Sequence, residues 1–188
     1  MSSKGRLIIL SAPSGTGKTT VVKRLMAARP QLLHSVSYTT RAKRPAEIHG
    51  QDYYFVDSET FQKMIETDSF AEWAQVHGCY YGTPRKPLEN AMRQGQDVLL
   101  DIDVQGSLNL QDQYPGQTVS IFLLPPSEEE LEKRLSGRGT DTPEVRKRRL
   151  ENAKQEMTFQ QRYDHRIVND DLQVACEKIL AILERGVD

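Results

Sequence analysis

Two stretches carry residue types that can grip phosphate. The first is Ala12-Pro13-Ser14-Gly15-Thr16-Gly17-Lys18-Thr19. It follows the phosphate-loop pattern G-x-x-x-x-G-K-[ST], with alanine replacing the opening glycine. Gly15 and Gly17 let the backbone curl so that its N–H groups face inward. A helix opening there adds its positive partial charge. Lys18 can then reach the β- and γ-phosphates of a nucleotide, and the Thr19 hydroxyl can ligate Mg²⁺. The second stretch is "SVSYTTRAKRP", Ser35 to Pro45. It sets hydroxyls beside Arg41, Lys43 and Arg44, a mixture that can hold a phosphate. Taken alone, it reads equally as a solvated loop.

A phosphate loop works only between a strand and a helix. Arg6–Ser11, "RLIILS", is a short apolar run that predicts a strand buried on both faces. After the loop, Val21, Val22, Leu25 and Met26 recur at helical spacing, and Pro30 marks the stop. Further buried strands are expected at Asp97–Leu100, Val119–Leu124 and His165–Val168. Asp101 and Asp103, in "VLLDIDVQG", stand at the end of such a strand, where the metal-side acid of a nucleotide site is expected. Asp103 is equally suited to cap the helix that follows. Asp170 or Asp171 caps a last helix, whose apolar stripe is Leu172, Ala175, Cys176, Ile179, Leu180 and Leu183, with Gly186 at its end.

Buried strands alternating with amphipathic helices predict an α/β fold with a parallel-sheet core. Two insertions break the rhythm. Ser35 to Gly95 is rich in aromatic residues and threonine, with strand-like "YYFV" and "AEWAQVHG" and a helix near Ser58–Thr67. Thr83 is the expected N-cap of a second helix with Pro84 in its first turn. This predicts an inserted α+β lobe. Ser127 to about Gln161 is charged and helical. Ser127 and Glu130 have capping-box spacing, Gly137 and Gly139 break the helix, and Thr142-Pro143 starts the next. This predicts a helical lid with glycine hinges. The resulting partition is a core of 1–34, 96–126 and 162–188, a lobe of 35–95 and a lid of 127–161.

The 188 residues carry 25 basic and 26 acidic side chains, a formal charge of −1. That balance argues against a nucleic-acid or anionic-membrane binder. The only cysteines, Cys79 and Cys176, match no metal or redox spacing. Cys79 is expected as a free thiol in a turn and Cys176 as core. This usage suits a reducing cytoplasm. No segment approaches a membrane span, and "MSSKGRLIIL" is too short in apolar residues for a signal peptide.

A GTPase requires an N-K-x-D segment that the chain lacks, and a remodelling ATPase is usually longer. A short chain with a lobe after the first helix and an arginine-rich lid suggests a nucleotide kinase. At this point the motifs "SAPSGTGKTT", "SVSYTTRAKRPAEIHGQDYYFV", "FAEWAQVHGCYYGTP", "LLDIDVQG", "PPSEEELEKRLSGRGTD" and "IVNDDL" become informative together. They run almost end to end and resemble the guanylate kinase family of P-loop nucleoside monophosphate kinases, in its bacterial form. Ala46, where that family often has glycine, and Tyr38 are small departures.

The resemblance implies a cytoplasmic enzyme that transfers the γ-phosphoryl of ATP to GMP, and to dGMP, giving ADP and GDP. It would serve guanine nucleotide metabolism and GMP recycling, with Mg²⁺ accompanying ATP and with neither nucleic acid nor membrane as partner. It implies an ATP site at Ala12, Pro13, Ser14, Gly15, Thr16, Gly17, Lys18, Thr19 and Thr20, with Asn169 near the adenine. Arg41, Arg44, Tyr53 and Tyr81 would hold the GMP phosphate. Glu72 would accept from guanine N1 and the 2-amino group, with Ser37 and Thr83 near O6 and Asp103 adding a contact to the 2-amino group. Thr19 and Asp101 would serve the metal. Lys18, Arg41, Arg134, Arg138 and Arg149 would neutralise charge during transfer. The acceptor oxygen of GMP is already ionised, so catalysis needs positioning and cations rather than a general base.

Without the resemblance, Tyr53 and Tyr81 read as lobe packing, Glu72 as an exposed strand residue and "RKRR" as a solvated helix face. A guanylate-kinase-like interaction module, which keeps the fold without catalysis, is the rival from another class. A P-loop kinase acting on a different phosphorylated acceptor is the rival among enzymes. Retention of Gly17, Lys18, Thr19, Arg41 and Arg44 argues against the first, and Glu72, Ser37 and Thr83 against the second.

Overall fold

The computed structural model describes residues 4–76, 78–136 and 143–184. In chain order these form β1 (Leu7–Ser11), α1 (Lys18–Ala28), β2 (Leu33–His34), β3 (Tyr38–Thr39), β4 (Tyr54–Phe55), α2 (Ser58–Glu66), β5 (Phe70–Val76), β6 (Cys79–Pro84) and α3 (Arg85–Arg93). Then come β7 (Val98–Asp101), α4 (Val104–Gln113), β8 (Thr118–Leu124), α5 (Glu128–Ser136), α6 (Pro143–Met157), a 3-10 turn (Thr158–Arg162), β9 (His165–Val168) and α7 (Leu172–Glu184). One sheet has the strand order β2-β7-β1-β8-β9, and a second has β4-β3-β6-β5. The fold is α/β; the β8–β9 pair is parallel, as the apolar runs predicted, and so is the β2–β7 pair, whose short strand β2 is not anticipated from the sequence.

The chain divides into two compact units. The first comprises Met1–Ile8, Gln31–Leu100 and Gln105–Thr118. Within it, β3 runs parallel to β4 and antiparallel to β6, and β5 runs antiparallel to β6 with a register shift between Phe70 and Glu72. An aromatic stack holds this sheet. Phe61 lies 4.5 Å from Phe70 and 5.4 Å from Tyr80, centroid to centroid. A side chain at Gly82 would run into both phenylalanine rings, so the glycine of "CYYGTP" makes room for them. Tyr38 stacks on Tyr54 at 4.7 Å. Asp57 caps α2 by accepting from the Thr60 N–H at 2.7 Å, a normal N-cap bond.

Two expectations change here. Thr83 does not cap α3: Pro84 holds the N-cap position without a side-chain cap, and Thr83 is a fully buried residue of β6. Its hydroxyl is drawn across the hairpin to Glu72 instead. Cys79, expected in a turn, begins β6 as a free thiol.

The second unit comprises Ile9–Pro30, Asp101–Val104 and Val119–Asp188. Its core is built from Val21 and Leu25 of α1, Ile121, Phe122 and Leu123 of β8, and Ala175, Cys176, Ile179 and Leu183 of α7, while Met26, Leu172 and Leu180 of the expected helical stripes are half-buried. The Val174 N–H donates to Asp171 Oδ1 at 2.9 Å, making Asp171 the cap of α7. Gly186 lies outside the described residues. The Glu130 N–H donates to Ser127 Oγ at 3.1 Å, half of the anticipated capping box. Leu131, Leu135 and Ala153 form a small buried cluster joined by Leu150 and Met157, which clamps α5 to α6. The glycine breaks expected at Gly137 and Gly139 fall outside the described residues.

Candidate active site

The residues expected to hold the donor begin at the end of β1. Gly15 and Gly17 both have φ of +92°, in the left-handed region that side chains resist. A Cβ on Gly15 would also press on Leu135 Cδ2 at 2.9 Å, and one on Gly17 on Asn169 Nδ2 at 2.9 Å. The loop therefore curls as predicted and delivers Lys18 as the first residue of α1. The Lys18 ammonium donates to the Ile102 carbonyl at 3.0 Å and pairs with Asp101 Oδ1 at 2.5 Å. Ser11 Oγ donates to the same carbonyl at 3.0 Å. The Thr19 and Thr20 residues are exposed, Thr16 and Pro13 are buried, and Ala12 is half-buried.

Asn169 is buried, and its side-chain amide donates to the Thr16 carbonyl at 2.7 Å while its own N–H bonds the Leu124 carbonyl at 2.8 Å. It buttresses the phosphate loop from behind. Arg134 is held by Glu130 at 2.9 Å and reaches the Asn169 carbonyl at 3.4 Å. Arg149 donates to Ser14 Oγ at 2.7 Å. These bonds bring two of the three expected lid arginines to the phosphate loop and its support. Arg138 lies outside the described residues. Asp103 is half-buried, immediately before α4, and its carbonyl lies 3.5 Å from Ser11 Oγ.

Sequence reasoning missed Glu156 of α6. Burial pushes its carboxyl up, against the attraction of Lys18 and a hydrogen bond from the Ser14 backbone, and Asp103 raises it further. Its Oε2 is buried without a hydrogen-bond partner. Arg149 and Glu156 are seven residues apart, about two helical turns. One face of α6 thus meets both the hydroxyl and the N–H of Ser14. That spacing was the signal available in the sequence.

Asp103 apart, the residues expected to hold the acceptor belong to the other unit. Arg41 donates to Glu47 Oε1 at 2.6 Å and to the Ala42 carbonyl at 2.7 Å. Its guanidinium lies 5.5 Å from the centroid of the Tyr53 ring and 5.7 Å from that of Phe55, within cation–π range. The Arg44 N–H donates to Glu47 Oε2 at 2.8 Å, and its side chain is 65% exposed. Burial lowers the Arg41 pKa, but hydrogen bonds and charge from Glu47 and Tyr81 outweigh it and leave it raised. Burial raises the Glu47 carboxyl, and the two arginines overcome that and hold it below the ordinary range. Glu47 was the second residue missed. Its place three and six residues after two arginines is the signal that marked it. Tyr53 and Tyr81 meet edge to face at 5.9 Å.

The hydroxyls of Thr39 and Thr40 in "SVSYTTRAKRP" have structural work. Thr39 Oγ1 donates to the Tyr80 carbonyl and Thr40 Oγ1 accepts from the Tyr80 N–H, both at 2.9 Å. Lys43 bonds the Glu47 carbonyl at 2.8 Å. Glu72, Ser37 and Thr83 are buried, at 6%, 8% and 0% exposure. The Thr83 hydroxyl donates to Glu72 Oε1 at 2.5 Å, so the buried carboxylate is partnered as such a group must be. Glu72 is therefore not the exposed strand residue that its neighbour Trp73 suggests.

The family model described as guanylate kinase matches residues 4–186. The chain belongs to the guanylate kinase family. A curated guanylate kinase from Geobacter sulfurreducens is 50% identical over 97% of this chain and 90% of its own length. One from Rhizobium meliloti is 47% identical over 98% of this chain and 84% of its own. The crystal structure of guanylate kinase from Anaplasma phagocytophilum superposes with a TM-score of 0.84 at 37% identity, covering 98% of this chain and 87% of that one. A gluconokinase from Sinorhizobium meliloti, at 17% identity and a TM-score of 0.55, shares the fold alone. The span matched by the family model takes in both compact units.

Proposed function

We propose that this guanylate kinase family enzyme transfers the γ-phosphoryl of ATP to GMP through the residues described above. The observation that carries the reading is the buried Glu72–Thr83 pair at 2.5 Å. A carboxylate can accept from both guanine N1–H and the 2-amino group, and an adenine cannot supply those two donors. Ser37 and Thr83 stand on the O6 side, where the Ser37 hydroxyl can donate to O6 while the Thr83 hydroxyl donates to Glu72, and Asp103 serves the 2-amino group. Arg41, Arg44, Tyr53 and Tyr81 grip the monophosphate. dGMP presents the same base and phosphate and is a second acceptor.

On the donor side, Ala12 through Thr20 cradle the triphosphate, with Lys18 on its terminal phosphates and Asn169 on the adenine side of the loop. Thr19 and Asp101 offer the hard oxygen donors that Mg²⁺ accepts, and Asp101 stands at the strand end where such a ligand is needed. When bound, the ion would supply charge neutralisation on the phosphates. Arg134, Arg138 and Arg149 of the lid neutralise the transferring group. An ionised GMP oxygen bonds to the γ-phosphorus, the bond to the β–γ bridging oxygen breaks, and ADP leaves with that oxygen. No proton must be removed from the acceptor. Positioning and cations therefore supply the catalysis.

The partition 1–34, 96–126 and 162–188 as core, 35–95 as acceptor lobe and 127–161 as lid fits this division of labour. Free Cys79 and Cys176, with no helix among the described residues long and apolar enough to cross a membrane, support a cytoplasmic setting. A coupled assay of ADP formation with GMP, AMP, CMP and UMP tests the reading. Selective turnover of GMP is expected. Selective turnover of AMP would overturn it, and turnover of none would favour the non-catalytic interaction module.

A further inference from the structure

Gly106 is the third residue of α4, and its backbone does not need glycine. Its φ is not among the positive values of the chain. Glycine is among the poorest helix formers, so an internal helical position without a backbone reason for it requires another explanation. The surroundings supply one. A Cβ built on Gly106 would collide with the carboxylate of Glu72, lying 2.9 Å from its Cδ and 3.4 Å from Oε1, with Oε2 nearer still. Real Cβ atoms essentially never approach a neighbour within 3.0 Å. Nothing but the missing side chain leaves room for that carboxylate.

The Glu72 group is held on two sides. Thr83 donates to Oε1 from β6, and the first turn of α4 lies against Oε2. A helix N-terminus favours a carboxylate through its partial positive charge. At 6% exposure, Glu72 has little solvent into which it could retreat if pushed.

We propose that Gly106 is a positioning residue for guanine recognition: its missing side chain forms the niche that sets the Glu72 carboxylate at its working angle. This rests on the reading of Glu72 as the guanine acceptor. Gly106 itself contacts no substrate in this account. It acts through Glu72, so losing the niche should change acceptor selection and leave the donor side alone.

The test is Gly106→Ala. Alanine is the better helix former, so a purely structural role predicts equal or higher thermal stability and unchanged kinetics. The niche predicts a KM for GMP raised about tenfold, the size of effect expected at the low end when one hydrogen bond to a charged group is misplaced. The KM for ATP and the kcat at saturating GMP should change less than twofold. Preference for GMP over IMP, which lacks the 2-amino group, should fall by a similar factor. Adding Glu72→Asp, which retracts the carboxylate by one methylene, should recover part of the GMP affinity lost in Gly106→Ala. An unchanged KM for GMP in a folded Gly106→Ala enzyme overturns the proposal.

Should Gly106→Ala fail to fold, the double variant Gly106→Ala/Glu72→Ala decides. Recovery of folding supports the clash with Glu72, and continued failure overturns it. Glu72→Gln alone separates the two layers. If it leaves the GMP KM unchanged, the guanine reading of Glu72 fails, and with it the recognition role given to Gly106. If it raises that KM while Gly106→Ala does not, only the niche fails.

Discussion

The Lys18 ammonium lies 2.5 Å from Oδ1 of Asp101. The cation assigned to the donor phosphates and the acid assigned to the metal are thus one ion pair, each side chain about a fifth exposed. Phosphate and metal binding must compete with this pair, since each would take one member of it. Lys18→Met should lower kcat by on the order of 10²–10³-fold, the loss typical of a deleted charge-stabilising donor. Asp101→Asn should shift the Mg²⁺ concentration for half-maximal activity upward. Magnesium titrations of the coupled assay check both, and an unshifted midpoint in Asp101→Asn would remove Asp101 from the metal.

Glu47 bridges Arg41 and the Arg44 backbone, so Glu47→Gln should raise the KM for GMP by about tenfold, the low end for weakening one hydrogen bond to a charged group. The same residue has a pH signature. Its folded carboxyl sits below its ordinary 4.5, so the stabilisation is complete above that value and is lost as pH falls through the lower folded one. The difference in Tm between wild type and Glu47→Gln should be constant near neutrality and shrink below about pH 4.5. Thermal melts across pH 3–7 measure it.

Glu156 should behave in the opposite sense. Burial raises its carboxyl above the ordinary value of 4.5, so a favourable contribution present at low pH is lost as pH rises through the folded value. Glu156→Gln should gain Tm relative to wild type as pH climbs from 4 to 7, and match it at the acid end. A variant that is less stable than wild type at pH 7 would show that the bond to the Ser14 N–H outweighs burial.

Thr83→Ala removes the donor to a buried carboxylate. A hydrogen bond to a charged group contributes about 1.5–3 kcal/mol, so the variant should lose about that much unfolding free energy, and its GMP KM should rise. Thr83→Ser should retain most of both. Urea unfolding and GMP kinetics on the same preparations provide the comparison.

Asn169→Ala leaves the Thr16 carbonyl, at the back of the phosphate loop, without its 2.7 Å partner. Leaving a buried acceptor unsatisfied costs about 1–3 kcal/mol. The expected result is a lower Tm with a raised KM for ATP and an unaltered KM for GMP. A raised GMP KM alone would contradict this loop-support role.

The phosphate loop was legible because its signals are local. An apolar run, two glycines and a periodic helix lie within one short segment, and no distant contact is needed to interpret them. The β5–β6 pairing was half-legible. "AEWAQVHG" reads as a strand, but "CYYGTP" contains Thr83-Pro84, which locally resembles a helix start. Glu72 draws the Thr83 hydroxyl across the hairpin and overrides that preference. The two-residue strands β2, β3 and β4 are too short to show any periodicity. Glu47 and Glu156 escaped for different reasons. Glu156 is ordinary within its own segment and gains meaning only from Ser14, which folding brings to it, whereas Glu47 stands beside its arginines in a stretch that reads locally as a solvated charged loop.

The segment 40–53, between β3 and β4, is tied at its ends by only two ladder pairs on the β4 side, Tyr38 with Tyr54 and Thr39 with Phe55. Much of its shape comes from side chains: Glu47 on Arg41, Lys43 on the Glu47 carbonyl, and Asp52 accepting from the Ile48 N–H at 2.8 Å. A backbone secured in this way can tolerate changes of length and wording that a strand ladder would forbid, provided the carboxylate at its centre is kept. Tailoring the acceptor grip by loop grafting is therefore a matter of transplanting a charge network rather than a backbone trace.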